Sequence, residues 1–363
     1  MSFTKQSGGR AMGIARHVVV DRSVDSWYHC VNRCVRRAFL CGGKFEHRRA
    51  WVRDRLMLLA DLFAIEVAAY SVMSNHLHVV LRTSPTRAEA WSAREIARRW
   101  LRLFPRKLEG RTDTLESQIE RLAADAVRIE VLRMRMADLS WFMRCLSEPI
   151  ARRANREDDC TGRFWEGRFK CRRLLDERAV LACCVYTDLN PIRAGIAGTP
   201  EGSDYTSVQD RIHARQHYEK LKGLRERAPR RAVSLVPHLA RGRMPRHAED
   251  GIWLMPMMRR RGDGDHRGGA IGITLDEYLT LVDATGRAVR AGSAGAVAAH
   301  LRPILKRLEI DHELWSRSMR DPGRRFGTAV GSAGHLTREA VRRGSRWIVN
   351  VWSVHERAAP GGA

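Results

Sequence analysis

No apolar run in the sequence approaches the roughly 20 residues needed to cross a bilayer. The opening residues, M-S-F-T-K-Q-S-G-G-R, lack the apolar core of a secretory signal. Both absences set the expectation of a cytoplasmic protein with no membrane partner. The eight cysteines contain no C-x-x-C pair, which argues against the zinc and redox modules built on that spacing. Adjacent Cys183-Cys184 sit in an apolar helical pattern. Reduced, mostly buried thiols are the default in such a chain. A zinc site from Cys30, Cys34 and Cys41 would match no common module. Tyrosine is thin as well: there are six, and none falls between Tyr70 and Tyr186.

Acidic residues are outnumbered. Asp and Glu total 41 against 65 Lys and Arg, giving a net charge of +24 and a pI near 10.8. The partners expected of such a chain are polyanions, nucleic acid first among them, with the nucleoid as its place in the cell. Arginine greatly outnumbers lysine, and a guanidinium fork grips a phosphate at two points. Charge names a partner and leaves the chemistry open. A hydrophobic content of 44% supports a sizeable core. At about 150 residues per domain the length suits more than one domain.

The most informative stretch is 67–83, V-A-A-Y-S-V-M-S-N-H-L-H-V-V-L-R-T. It reads as a hairpin: Val67 to Met73, a turn at Ser74-Asn75, and His76 to Thr83. Alternation puts His76, His78 and Val80 on one face and Leu77, Val79 and Leu81 on the other. Two imidazoles side by side at the turn end suit a divalent metal. Two exposed histidines on a half-buried sheet would give the same pattern.

Around it, residues 1–24 read as a loose arm and Trp27 to Val35 as a first strand. Residues 46–66 read as an amphipathic helix carrying Val52, Leu56, Leu59 and Phe63. Residues 86–137 form a helical insertion, with one helix from Thr86 to Phe104 and a second capped at Asp113 or Thr114. A further helix begins near residue 138, and Ser147 before Pro149 reads as a fresh N-cap at which the helix kinks. In T-G-R-F-W-E-G-R-F-K, residues 161–170, the cations Arg163, Arg168 and Lys170 interleave with Phe164, Trp165 and Phe169. That pattern suits single-stranded nucleic acid, with phosphates on the cations and bases on the rings. It equally describes a turn with its aromatics in the core. Residues 177–188 read as a buried helix ended by Asn190-Pro191. Residues 208–270 read as a basic helix followed by an Arg/Gly/Pro-rich linker. Residues 271–363 read as a small helical accessory domain. Its first helix opens on a Thr274/Glu277 capping box, and further helices are expected at 295–308 and 310–320.

The segments W-Y-H-C-V-N-R, M-S-N-H-L-H-V-V-L, G-R-F-W-E-G-R-F-K and Y-T-D-L-N-P-I-R-A-G, in that order, resemble the IS200-like transposases, in the branch of the REP-associated tyrosine transposases. The resemblance covers about residues 20–207, interrupted by 86–137. It implies an α+β fold of HUH type, a ferredoxin-like antiparallel sheet backed by helices, working as a homodimer. It implies that His76 and His78 hold Mg²⁺ or Mn²⁺ at a scissile phosphate of single-stranded or hairpin DNA. It also implies that a tyrosine on a later helix attacks, leaving a 5′-phosphotyrosine link. Arg33 matches the first-strand motif, while Asn190 and Arg193 match a turn read as structural. With Arg163, Arg168 and Lys170, the expected nucleic-acid contacts are Arg33, Arg152 and Arg153.

The resemblance places the nucleophile in a segment of the type Y-A-R-R-F-N-R. Here that segment is I-A-R-R-A-N-R, so the tyrosine position falls on Ile150, with Asn155 left as a polar site group. Tyr28, Tyr70 and Tyr186 are assigned to packing. Three readings follow: an active single-strand DNA transposase or nickase, a nuclease-dead DNA-binding derivative, and an RNA-binding protein on the same basic surface.

Overall fold

The computed structural model describes residues 16–106, 114–227, 253–257, 271–289 and 329–344. The arm before residue 16, the helices expected at 295–308 and 310–320 and most of the 229–270 linker lie outside the described residues.

A five-stranded sheet is formed by β1 (Ser26–Arg33), β2 (Ile65–Val72), β3 (His76–Thr83), β4 (Lys170–Leu174) and β5 (Ala329–Val330), in the order β2-β3-β1-β4-β5. The first four pair antiparallel, and β5 pairs parallel to β4. After the short α1 (Arg16–Val19), helix α2 (Arg48–Leu62) carries the chain from β1 to β2, and α7 (Leu139–Glu157) leads from the insertion into β4. This is the ferredoxin-like α+β arrangement, with a short fifth strand added at its edge.

The pleat divides the sheet into two cores. On one face Tyr28, Cys30, Leu77, Val79 and Leu81 pack with Val52 and Leu56 of α2 and with Phe142, Leu146 and Ile150 of α7. On the other, Ala69, Val80 and Leu174 meet α8 (Glu177–Asp188) through Val180, Leu181 and Val185. Both faces of β3 are therefore covered, and its apolar residues are fully buried.

The insertion is four helices rather than two: α3 (Pro85–Glu89), α4 (Ala93–Leu103), α5 (Leu115–Ala123) and α6 (Ala126–Met136). The single helix expected over 86–104 divides because Ser92 accepts from Glu95 N at 3.1 Å and starts a new one. Ile96, Trp100, Ile119, Ile129 and Leu132 then join the core on the α2 and α7 side.

Helix α7 takes no fresh N-cap at Ser147, where one was expected. It runs unbroken through Pro149. Proline has no N–H for the carbonyl four residues back, at Cys145. Arg55 of α2 donates to that carbonyl instead, at 2.9 Å. The Ser147 hydroxyl, expected as a cap, accepts from Asn32 Nδ2 at 2.9 Å and fastens the helix to β1.

Beyond β4 follow α8, α9 (Asn190–Arg193), α10 (Ser207–Arg227), α11 (Leu275–Val289) and α12 (Ala333–Arg342). The described part of the region expected as a separate accessory domain packs on the sheet unit. Tyr278, Leu281 and Val282 of α11 share the core of α8. Glu339 of α12, 4% exposed, accepts from Arg173 of β4 at 2.9 Å. The Thr274/Glu277 box opens α11 as expected, with Glu277 N donating to Thr274 Oγ1 at 3.3 Å. Within the expected linker, Met255 N donates to Val67 O at 2.8 Å, beside the bulge of β2. Among the described residues no helix is long and apolar enough to cross a membrane.

Asp188 joins three of these helices. It accepts from Ser207 Oγ, from Val208 N at 3.0 Å and from Tyr278 OH at 2.6 Å. Burial raises its pKa from 3.8 to about 6, against the opposing pull of those hydrogen bonds. A carboxyl raised on folding stabilises the fold fully below its unfolded pKa, and that contribution is lost as pH rises through the folded one. Between pH 4 and pH 7, wild type is therefore expected to lose on the order of 3 kcal/mol relative to Asp188→Asn, at 1.36 kcal/mol per pKa unit. Denaturant titrations of both proteins across that range would show it. Parallel pH profiles would show that Asp188 does not titrate as described.

Candidate functional site

The strand register assembles the site. Arg33 pairs with His76, Val31 with His78 and His29 with Val80. On the other side of β1, Val31 pairs with Lys170 and His29 with Arg172. Paired residues share a face, so His29, Arg33, His76, His78, Lys170 and Arg172 lie on one side of the sheet. Helix α8 crosses that side and sets Tyr186 against the imidazoles.

The contacts are close. The His76 and His78 rings meet edge to face with centroids 4.9 Å apart. Tyr186 stands edge-on to His78 at 5.5 Å and to His29 at 6.0 Å. His29 Nε2 and His78 Nδ1 are hydrogen-bonded at 2.9 Å. His76 Nδ1 lies 2.6 Å from Asn75 Oδ1 in the turn. An amide oxygen only accepts, so Nδ1 of His76 carries the proton and its Nε2 carries a lone pair.

All three imidazoles are held neutral. Burial, then the charge of Arg33, lowers His76 to about 4. Burial, then Arg172, lowers His29 to about 3. His78 lies well below its ordinary value, through burial and then through His29, His76, Arg33 and Arg172. A neutral imidazole keeps the lone pair that a metal needs.

Cations surround the group. Arg33, Lys170, Arg172 and Arg193 form no salt bridge among the described residues. The Arg193 guanidinium lies 5.1 Å from the Tyr186 ring centroid, and its buried Nη1 has no hydrogen-bond partner. An unmet buried donor costs about 1–3 kcal/mol and is open to an acceptor from outside the chain. Burial raises the Tyr186 pKa, and Cys183 adds to that, while Arg193 and Arg172 oppose it.

These positions correct several expectations. Ile150 is 4% exposed and packs in the α7 core on the opposite face of the sheet, so no side chain at that position would face the imidazoles. The tyrosine beside the His pair is Tyr186, which the sequence reading assigned to packing. Arg193, read as structural, lies on it. Asn190 does cap: its Nδ2 donates to Tyr186 O at 3.0 Å and Thr187 O at 3.1 Å. Asn155 donates to Gly162 O at 3.0 Å, away from the imidazoles.

The aromatic side chains of 161–170 are not a stacking platform. Phe164 and Phe169 are buried in the core, and Trp165 Nε1 donates to Ser147 O at 2.9 Å. Arg163, Arg168 and Lys170 are exposed. Their segment runs beside the end of β1, with Glu166 N donating to Arg33 O at 2.7 Å. Arg152 and Arg153 lie on α7, where Arg152 pairs with Glu148 and Arg153 stacks over Trp51 at 3.8 Å.

His29, Arg172 and Tyr186 were missed. The period-two spacing of Lys170 and Arg172 in K-C-R-R-L was the available signal for the second. For Tyr186 the signal was its place seven residues before Arg193, two helical turns away.

Mg²⁺ or Mn²⁺, the ions expected here, can be weighed against these residues. Among the described residues no group of three His, Cys, Asp or Glu side chains is arranged to hold a metal ion. Two neutral imidazoles on one face fit part of a coordination sphere. Mg²⁺ characteristically keeps several waters and takes phosphate oxygens for the remainder.

No family model and no curated protein matches the sequence. Among solved structures, that of a REP-associated tyrosine transposase bound to a REP hairpin matches at 13% identity, covering 52% of this chain and 79% of that one, with a TM-score of 0.31.

The field at the site can be measured. Arg33→Ala is expected to raise the pKa of His76, read from imidazole NMR shifts over a pH titration. An unchanged value would mean that the Arg33 charge does not reach the pair.

Proposed function

We propose that this chain binds single-stranded or hairpin DNA and transfers a phosphodiester through Tyr186. The observation that carries the reading is the packing of Tyr186 against His29 and His78, with Arg193 over its ring. A phenol, a pair of neutral imidazoles and a set of cations without acidic partners among the described residues are the parts such a transfer needs.

The roles follow from position. Arg193 and Arg172 hold the phosphate and favour the phenolate. The Tyr186 oxygen bonds to phosphorus while the bond to the 3′ oxygen breaks, giving a 5′-phosphotyrosine and a free 3′-hydroxyl that takes up the proton. The reverse attack by a 3′-hydroxyl rejoins the strand and frees the tyrosine. His76 and His78 would hold a divalent ion, which when bound supplies Lewis-acid polarisation of the phosphate. His29, hydrogen-bonded to His78, orients that ligand. Arg33, Lys170, Arg163 and Arg168 guide the backbone of the strand. The nuclease-dead reading rested on Ile150, and the packing of that residue with the α7-side core supports a nucleophile elsewhere.

Incubation with labelled hairpin-bearing single-stranded DNA and Mn²⁺, followed by denaturing electrophoresis, is expected to show a covalent adduct. It should vanish in Tyr186→Phe, and Ile150→Tyr should not form one in its place. An adduct mapped by mass spectrometry to another tyrosine would refute the assignment.

Binding should persist in Tyr186→Phe and fall steeply with salt. Replacing Arg163, Arg168 and Lys170 with Ala should lower the log–log salt slope by about 2, at ~0.7 per phosphate contact on single strands. A slope equal to wild type would assign those residues to solvent alone.

A further inference from the structure

The groove between the insertion and α7, on the side of the sheet away from Tyr186, has no part in the proposed reaction. It encloses about 520 Å³ and is lined by Trp100 of α4 and Phe104 just after that helix, Trp141, Arg144, Arg152 and Arg156 of α7, and Arg55 of α2. Trp100 stands edge-on to Trp141 at 5.9 Å and 4.7 Å from Phe104. Phe104 is 40% exposed, unusual for so large an apolar ring. Arg144 lies 5.3 Å from the Trp141 ring centroid.

The charge is unbalanced. Glu148 is the one carboxylate among the lining residues, and it is shared by Arg144 and Arg152. Arg156 has no acidic partner among the described residues. Arg55 is committed to the Cys145 carbonyl. Flat rings set among cations in excess of acid form a surface for a chain of bases and phosphates.

The geometry points to a second nucleic-acid site in this groove, which takes a single-stranded segment with bases on Phe104 and Trp141 and phosphates on Arg144, Arg152 and Arg156. The site exists only because α4 of the insertion closes against α7. It rests on the reading of nucleic acid as the partner and is independent of the chemistry at Tyr186. A strand cut and held at Tyr186 would have its single-stranded flank retained on the far face.

The test uses the full chain and a labelled oligothymidylate without a hairpin, about 4 to 16 nucleotides long, the range of single-strand binding sites. Fluorescence anisotropy is expected to show binding with concurrent quenching of tryptophan emission. The Arg144→Ala/Arg152→Ala/Arg156→Ala variant should bind this probe at least roughly tenfold more weakly at low salt. It should still form the Tyr186 adduct on hairpin DNA. All three positions lie on α7, where alanine favours the helix, and a circular-dichroism melt checks the fold. Probe binding unchanged in the variant would overturn the proposal. Displacement of the probe by polyglutamate at equal charge concentration would also overturn it, marking a groove for acidic peptide. Loss of the adduct in wild type would count against Tyr186 and leave the oligothymidylate result standing by itself.

Discussion

The pairing of β1 with β3 is the constraint on which the site depends. Arg33 opposite His76 and Val31 opposite His78 place every polar group of the site on one face. A slip of one residue would turn His76 and His78 toward α2 and α7 and expose Leu77 and Val79 to α8. The register is fixed because those apolar residues are fully covered on the α7 side. It is also fixed by the turn, where Met73 N donates to His76 O at 2.8 Å and Cys34 N donates to Asn75 O at the same distance. The chemistry of one face is thus secured by the packing of the other.

Burial does the electrostatic work. The imidazoles lie under α8, and desolvation is the leading cause of their neutrality, with nearby arginines reinforcing it. The same burial raises the Tyr186 phenol, while Arg193 and Arg172, the latter also acting on His29 and His78, pull the phenol back down. The Arg172 charge therefore acts in opposite directions on the His and Tyr side chains. It holds lone pairs on the former and favours ionisation of the latter.

Much of the sheet was legible, because period-two alternation in H-L-H-V-V-L and the Ser74-Asn75 turn are local signals. Helix α8 was legible from its apolar run. Which tyrosine stands beside the imidazoles was not, because that depends on which side of the sheet each helix covers. Sequence order placed the α7 segment nearer the expected motif, and only the crossing of α8 over β1 and β3 brings Tyr186 to the imidazoles. The aromatics of 161–170 misled for a related reason: interleaving fixes composition but not direction, and the rings turn inward. The continuity of α7 was hidden because the partner that replaces the missing proline N–H comes from another helix. The packing of 271–289 on the sheet was hidden in the same way, since nothing in a capping box says what its helix will lean against.

The carbonyl of Cys145, served by Arg55 from 90 residues earlier, has a consequence for how this chain tolerates change. Positions 55 and 149 form one unit in which neither is free to drift alone. An amide-bearing residue at 149 would supply the carbonyl from within the helix and release the guanidinium, whereas loss of the guanidinium beside an unaltered proline would strand it. Helix α7 also anchors to β1 through Ser147. Substitutions at these two positions therefore propagate to the strand that carries His29 and Arg33, linking the inheritance of a helix surface to that of the opposite face of the sheet.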